Sequence, residues 1–208
     1  MDRLLNPGII PVIRADDAAH VPPVCEALVA GGVTALEITM TTPNALDCIR
    51  QASRQFASRA ITGAGSVTSA EMCRATIEAG AAFVVTPIMR PEIAQVAKAA
   101  GRVVVLGAFT PTEAQLAWEA GADFVKIFPV ISPGYIKALR GPLPHLKIIP
   151  TSGVTLETAP EFLAMGCVAL GVGSNLVSPK LLRQQNWAEI TRLAKEFVAV
   201  VRKFKAAE

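Results

Sequence analysis

Two ionisable residues stand where the surrounding sequence asks for none. Lys126 lies in Phe124-Val125-Lys126-Ile127-Phe128, between bulky apolar side chains on a segment that reads as a buried strand. Burial disfavours an ammonium, so an amine in such a place is neutral more often than one in water. A neutral amine is a nucleophile that condenses with a ketone, and the protonated imine then draws electrons from the adjacent carbon. The alternative is a core lysine that pairs with a carboxylate or extends its head out of the core to water. The seven other lysines sit in segments that look exposed. Glu37, in Ala35-Leu36-Glu37-Ile38-Thr39, is the second such residue. Pointed inward, it can carry a proton between a substrate hydroxyl, water and a carbinolamine at Lys126. It can equally be the charge that neutralises Lys126, and the two roles are compatible.

The elements that must hold these residues repeat along the chain. Eight short runs rich in branched residues predict strands over 8–14, 35–39, 60–63, 83–86, 103–106, 124–128, 147–150 and 168–171. Continuous apolar runs, without polar alternation, mark parallel strands covered on both faces. Between them, alanine-rich segments with helical spacing include 21–30, 44–57, 70–79, 92–100, 112–120 and 156–165. Glycines at 31–32, 80, 101, 121 and 166 follow helical stretches, where they can close a helix in the left-handed conformation. Ser69 and Thr112 are placed to accept from N–H groups at helix starts. The strands begin about 20–27 residues apart, close to 208 divided by eight, and no linker interrupts them. Eight βα units in one domain over 1–208 predict an α/β fold, a (β/α)8 TIM barrel at the small end of that architecture.

A barrel carries its chemistry at the C-terminal ends of its strands. The polar residues there are Arg14, Glu37 and Thr39, Gly65-Ser66, Thr86-Pro87, Lys126, Thr151-Ser152-Gly153 and Gly171-Val172-Gly173-Ser174-Asn175. Arg14 can grip a carboxylate through its two-pronged guanidinium, or can form a barrel-end ion pair with Asp16, Asp17 or Glu37. The last two turns suit a phosphate. Gly153, Gly171 and Gly173 permit close backbone approach, Ser174 offers a hydroxyl, and the following helix presents free N–H groups. Tight turns need glycine in any case, and no GxGxxG or Walker pattern is present.

Composition excludes other classes. With 51% hydrophobic and 18% charged residues, the chain is too apolar for a disordered protein. A net charge of +3, from 20 basic and 17 acidic residues, implies no nucleic-acid face. Four cysteines, at 25, 48, 73 and 167, have no CxxC spacing, and His20 and His145 are isolated, so neither a zinc site nor a disulfide framework is expected. The cysteines, Trp118 and Trp187 read as packing residues, and the basic residues of the last helix, Arg192 to Lys205, as a solvated face. No signal sequence or membrane-spanning apolar run is seen, so the expected location is the cytoplasm.

With these motifs assembled, the chain resembles the bacterial 2-keto-3-deoxy-6-phosphogluconate (KDPG) aldolases and their phosphogalactonate and 4-hydroxy-2-oxoglutarate (KHG) aldolase relatives. The similarity runs from Ile10-Pro11-Val12-Ile13-Arg14 to Gly173-Ser174. Its most specific pieces are Leu36-Glu37-Ile38-Thr39, Gly63-Ala64-Gly65-Ser66-Val67, Val85-Thr86-Pro87, Val125-Lys126-Ile127-Phe128-Pro129 and Pro150-Thr151-Ser152-Gly153-Val154. The resemblance implies a class I lyase that needs no metal or other cofactor, with a Schiff base at Lys126 and Glu37 as general acid/base. Cleavage of a 2-keto-3-deoxy-6-phospho sugar acid would give pyruvate and glyceraldehyde 3-phosphate, and 4-hydroxy-2-oxoglutarate would give pyruvate and glyoxylate. Arg14, Ser66, Thr39, Pro87 and Phe128 then fall at the pyruvate end. Thr151, Ser152, Gly153, Gly171, Gly173 and Ser174 fall at the phosphate. The implied partners are a small-molecule substrate and two further copies of the chain in a homotrimer, with no nucleic acid and no membrane.

Three departures bear on specificity. Met40-Thr41-Thr42 fills the turn where phosphogluconate aldolases carry an arginine for the carboxylate. Galactonate-type relatives lack that arginine too and use one at the end of strand 1, here Arg14. Ser66 replaces a threonine and keeps its hydroxyl, and Ser152-Gly153 stands for the usual glycine pair. Two other readings compete. A phosphosugar isomerase or epimerase would use Glu37 as a base without a covalent step, and a silent sugar-phosphate sensor would bind without turnover. A covalent pyruvate adduct separates both from an aldolase.

Overall fold

The computed structural model describes residues 2–206. Its strands are β1 (Ile9–Ile13), β2 (Ala35–Thr39), β3 (Ile61–Gly65), β4 (Phe83–Val85), β5 (Val103–Ala108), β6 (Phe124–Ile127), β7 (Ile148–Pro150) and β8 (Leu170–Val172). All pair in parallel, in the order β7-β6-β5-β4-β3-β2-β1-β8, which leaves β7 and β8 at the two ends. The ring closes where Thr151 bridges Gly171 and Val168 donates its N–H to Ile148 O at 3.0 Å. This is the TIM barrel that the eight apolar runs predict.

The helices are α1 (Asp2–Leu5), α2 (Val21–Ala30), α3 (Ala45–Gln55), α4 (Ala70–Glu78), α5 (Pro91–Ala99), α6 (Pro111–Glu119), α7 (Pro133–Arg140), α8 (Ala159–Ala164), α9 (Pro179–Arg183) and α10 (Trp187–Lys205). Ser69 caps α4 by accepting from Met72 N–H. The cap of α6 is Thr110 rather than Thr112, in a reciprocal box with Glu113. Pro111 decides this, because its fixed φ and missing N–H suit the first helical position. Helix α10 buries Ile190, Ala194, Phe197, Val198 and Val201, while Lys195, Arg202 and Lys203 face water. No helix among the described residues is long and apolar enough to cross a membrane.

Inside the ring, Ile10, Phe83, Val105, Phe124 and Ile149 form a packed core. Leu4 of α1 enters this cluster fully buried and floors the barrel at the N-terminal ends of the strands. The floor is tied down by Arg3, which donates to Ala57 O and Ser58 O, and by Lys205, which donates to Leu5 O and Pro7 O.

Strand β3 runs two residues past its predicted end, through Gly65, which pairs with Thr39. Gly63 is expected as the last strand residue and Gly65 beyond it, and the neighbours of both leave no room for a side chain. A Cβ on Gly63 would stand 2.4 Å from the Phe83 ring, and one on Gly65 would stand 2.1 Å from Glu37 Oε1.

Candidate active site

Strand alternation turns Phe124, Lys126 and Phe128 to one side of β6, and the first of these belongs to the interior core. Lys126 therefore stands one layer above the packed floor, and it is buried at 6% exposure. Glu37 reaches the same layer from β2 at 3% exposure. Lys126 Nζ and Glu37 Oε1 are 3.9 Å apart, and Glu37 Oε1 has no hydrogen-bond partner among the described residues. On another side, Lys126 Nζ lies over the Phe128 ring, 5.1 Å from its centroid. Burial pushes the Glu37 carboxyl above the ordinary carboxylate range, against the opposing pull of Lys126 and Arg14.

Both side chains open into one cavity of about 330 Å³ at the C-terminal end of the barrel. Its walls include Arg14, Ser66, Pro87 and Phe128, together with Thr151, Ser152, Gly153, Gly173 and Ser174 from the loops after β7 and β8. A shallow depression along α3 encloses more space, about 500 Å³, but it is lined only by exposed polar side chains such as Arg50 and Arg54. Ser66 and Ser152 both adopt left-handed backbone, with φ of 57° and 71°. Such a conformation costs a non-glycine residue about 1–2 kcal/mol, so both serines hold backbone strain at the rim of the cavity.

The walls are held by neighbouring strands and loops. Thr86 is fully buried; its Oγ1 accepts from Gly107 N–H at 2.8 Å and donates to Ile88 O at 2.5 Å. That fixes the backbone on either side of Pro87. Gly107 allows the approach, since a Cβ there would meet Pro87 at 2.4 Å. At the last two strands, Asn175 Nδ2 donates to Val154 O at 2.8 Å, joining the loop after β8 to the loop after β7.

Two residues expected at the site lie outside the cavity. Thr39 is wholly buried, with its hydroxyl bonded to Thr41 Oγ1 at 2.9 Å and Thr42 Oγ1 at 3.4 Å. Thr42 in turn accepts from Ala15 N–H at 3.3 Å, so this threonine group ties the end of β2 to the loop that carries Arg14. Gly171 packs against Thr151, whose Oγ1 a Cβ would meet at 2.2 Å; it makes room for that side chain rather than for a ligand. The helices behind the last two turns also start later than expected. α8 begins at Ala159 and α9 at Pro179, and a single turn closes first, with Leu176 and Val177 donating to Gly173 O. Arg14 makes no ion pair among the described residues, whereas Asp16 pairs with Arg183 at 3.7 Å.

Residues 2–193 match the family of KDPG and KHG aldolases. A 2-dehydro-3-deoxy-phosphogluconate aldolase of Haemophilus influenzae is 33% identical over 207 residues, spanning 97% of this chain and 96% of that protein. The chain belongs to the KDPG and KHG aldolase family. It is thus a member of a lyase family. Among solved structures, a native KDPGal structure superposes with a TM-score of 0.88 at 30% identity, covering 95% of this chain and 96% of that one. The KDPG aldolase of Legionella pneumophila, with pyruvate captured as a covalent carbinolamine, superposes at 0.84 with 27% identity, covering 92% and 95%.

Gly107 is a contributor to this site that the sequence does not single out; Gly65 and Asn175 stand out in it only as strand-end residues, without the contacts that the structure gives them. A glycine inside a strand signals close approach of another group, but Gly65 and Gly107 both fall just beyond the predicted strand ends at 63 and 106. Asn175 follows a Gly-x-Gly-Ser turn, but its partner is 21 residues away in sequence.

Proposed function

We propose that the protein is a class I aldolase that cleaves 2-keto-3-deoxy-6-phospho sugar acids to pyruvate and glyceraldehyde 3-phosphate, with 4-hydroxy-2-oxoglutarate as a second substrate. The observation that carries this reading is the buried Lys126–Glu37 pair opening to a single cavity. Lys126 Nζ adds to the ketone carbon, and the oxygen becomes the hydroxyl of a carbinolamine. Glu37 gives that hydroxyl a proton, water leaves, and the nitrogen lone pair forms the iminium. Glu37, now a carboxylate, takes the proton of the C4 hydroxyl; the C3–C4 bond breaks, the aldehyde departs and its bonding electrons form the enamine. Protonation of the enamine carbon and hydrolysis of the imine release pyruvate and restore Lys126.

Arg14 supplies the charge for the substrate carboxylate, and Ser152, Gly153, Gly173 and Ser174 supply neutral donors for the phosphate. A second reading, preference for the phosphogalactonate epimer, is favoured by one observation. Besides Lys126, the cation lining the cavity is Arg14 at the end of β1, while the Met40-Thr41-Thr42 turn offers none. Pyruvate release from the gluconate, galactonate and hydroxyoxoglutarate substrates, measured side by side, separates them. The first reading expects the gluconate substrate to give the highest kcat/KM, with no loss in EDTA.

A homotrimer is part of the proposal. Ile88, Phe109, Leu116 and Ile131 are 41–67% exposed on successive strand–helix units after β4, β5 and β6, an apolar face suited to another copy of the chain. Light scattering should give three times the chain mass; a monomer mass contradicts it.

A further inference from the structure

We propose that the face of the Phe128 ring stabilises the positive charge of the iminium at Lys126, and so sets how much of the covalent adduct exists as iminium rather than carbinolamine. The proposal rests on the Schiff-base reading and deepens it. Its basis is the placement of Lys126 Nζ over the ring, 5.1 Å from the centroid, in a layer where the lysine is 6% exposed. An aromatic face carries negative potential, and it attracts a cation within about 6 Å more strongly where water is excluded.

The charge bookkeeping makes this attraction selective. In the carbinolamine, nitrogen is neutral with three single-bonded partners. Loss of the hydroxyl, with a proton from Glu37, gives water and leaves the nitrogen with a C=N bond, one hydrogen and a positive charge. Loss of a C3 substituent as an electrofuge then returns nitrogen to neutrality in the enamine. Only the iminium of these three puts a cation over the ring. Glu37 faces the same nitrogen at 3.9 Å, but it gives up its negative charge whenever it holds the proton it must deliver. The ring's potential is permanent. It therefore acts on the nitrogen throughout dehydration, while Glu37 regains its negative charge only as its proton leaves with the hydroxyl.

The test replaces Phe128 in the full chain by phenylalanines with one, two and three ring fluorines. Fluorination keeps ring shape and packing while draining the negative face. Borohydride reduces the iminium and not the carbinolamine, so the trapping rate at saturating pyruvate and fixed pH reads the iminium fraction. The rate should fall stepwise with each fluorine, by roughly five- to thirty-fold across the series, with thermal melting unchanged. A trapping rate that is flat across the series, with the unsubstituted enzyme labelled normally, overturns the proposal and leaves the Schiff base intact. No adduct even in the unsubstituted enzyme overturns both.

Discussion

Glu37 Oε1 stands 3.9 Å from Lys126 Nζ, near enough for each charge to offset the other and too far for a hydrogen bond. Two buried charges are costly unless paired, and a closed ion pair would occupy the atoms that a reaction needs. The spacing meets both conditions. It keeps the layer electrically balanced while Glu37 Oε1 retains an open lone pair. Gly65 sets this spacing from the next strand, because any side chain there would occupy the carboxylate's place.

Glu37→Gln removes the proton carrier while preserving size. kcat should fall on the order of 10²- to 10⁴-fold. The wild-type kcat/KM profile should lose activity with falling pH at a value above 4.5, because burial raises this carboxyl and the base form is lost as pH drops through the raised value. That acid limb should vanish in the variant. An unchanged limb would show that another group controls it.

The same shift predicts a slope in stability. Between the ordinary carboxylate value and the raised one, the folded state holds a proton on Glu37 that the unfolded state has released. Glu37 therefore lowers stability as pH rises through that window, and its favourable contribution is complete only below the unfolded value. Urea denaturation at a series of pH values should show this decline in the wild type and a flatter dependence in Glu37→Gln. A steeper decline in the variant would contradict it.

Gly65→Ala should preserve the fold and impair the chemistry. The added methyl meets Glu37 Oε1 at 2.1 Å, so the carboxylate must swing away from Lys126. A misplacement of about 1 Å costs on the order of 10²-fold in rate, and kcat should drop by that order with little change in circular dichroism. Retained kcat would mean that the carboxylate tolerates displacement.

How far the sequence reveals this site depends on the range of the interactions that build it. Lys126 and Glu37 stand out because a single charge inside an apolar strand is a local signal. The barrel stands out because its repeat is regular along the chain. Thr39 looked like a ligand contact because alternation puts it at a strand end, but its hydroxyl is consumed by Thr41 and Thr42, which pattern alone does not show. Gly65 falls outside its predicted strand, because its reason for being small is a carboxylate 28 residues earlier in the chain. Asn175 stands out only as a polar residue at a strand end, and its structural task is hidden because its partner is the backbone of another loop.

Asn175→Ala cuts that tie between the two loops of the phosphate lip. The KM for a phosphorylated substrate should rise by roughly five- to ten-fold, as expected for loss of one hydrogen bond of about 1 kcal/mol, while kcat/KM for hydroxyoxoglutarate stays within two-fold. Equal loss on both substrates would place the effect at the lysine instead.

The most direct measurement is borohydride reduction of the protein in pyruvate, followed by peptide mass analysis. A covalent adduct on Lys126, absent from Lys126→Met along with all cleavage activity, is the result predicted. An unmodified Lys126 in the wild-type protein, or full aldol cleavage by Lys126→Met, would contradict a Schiff-base mechanism outright.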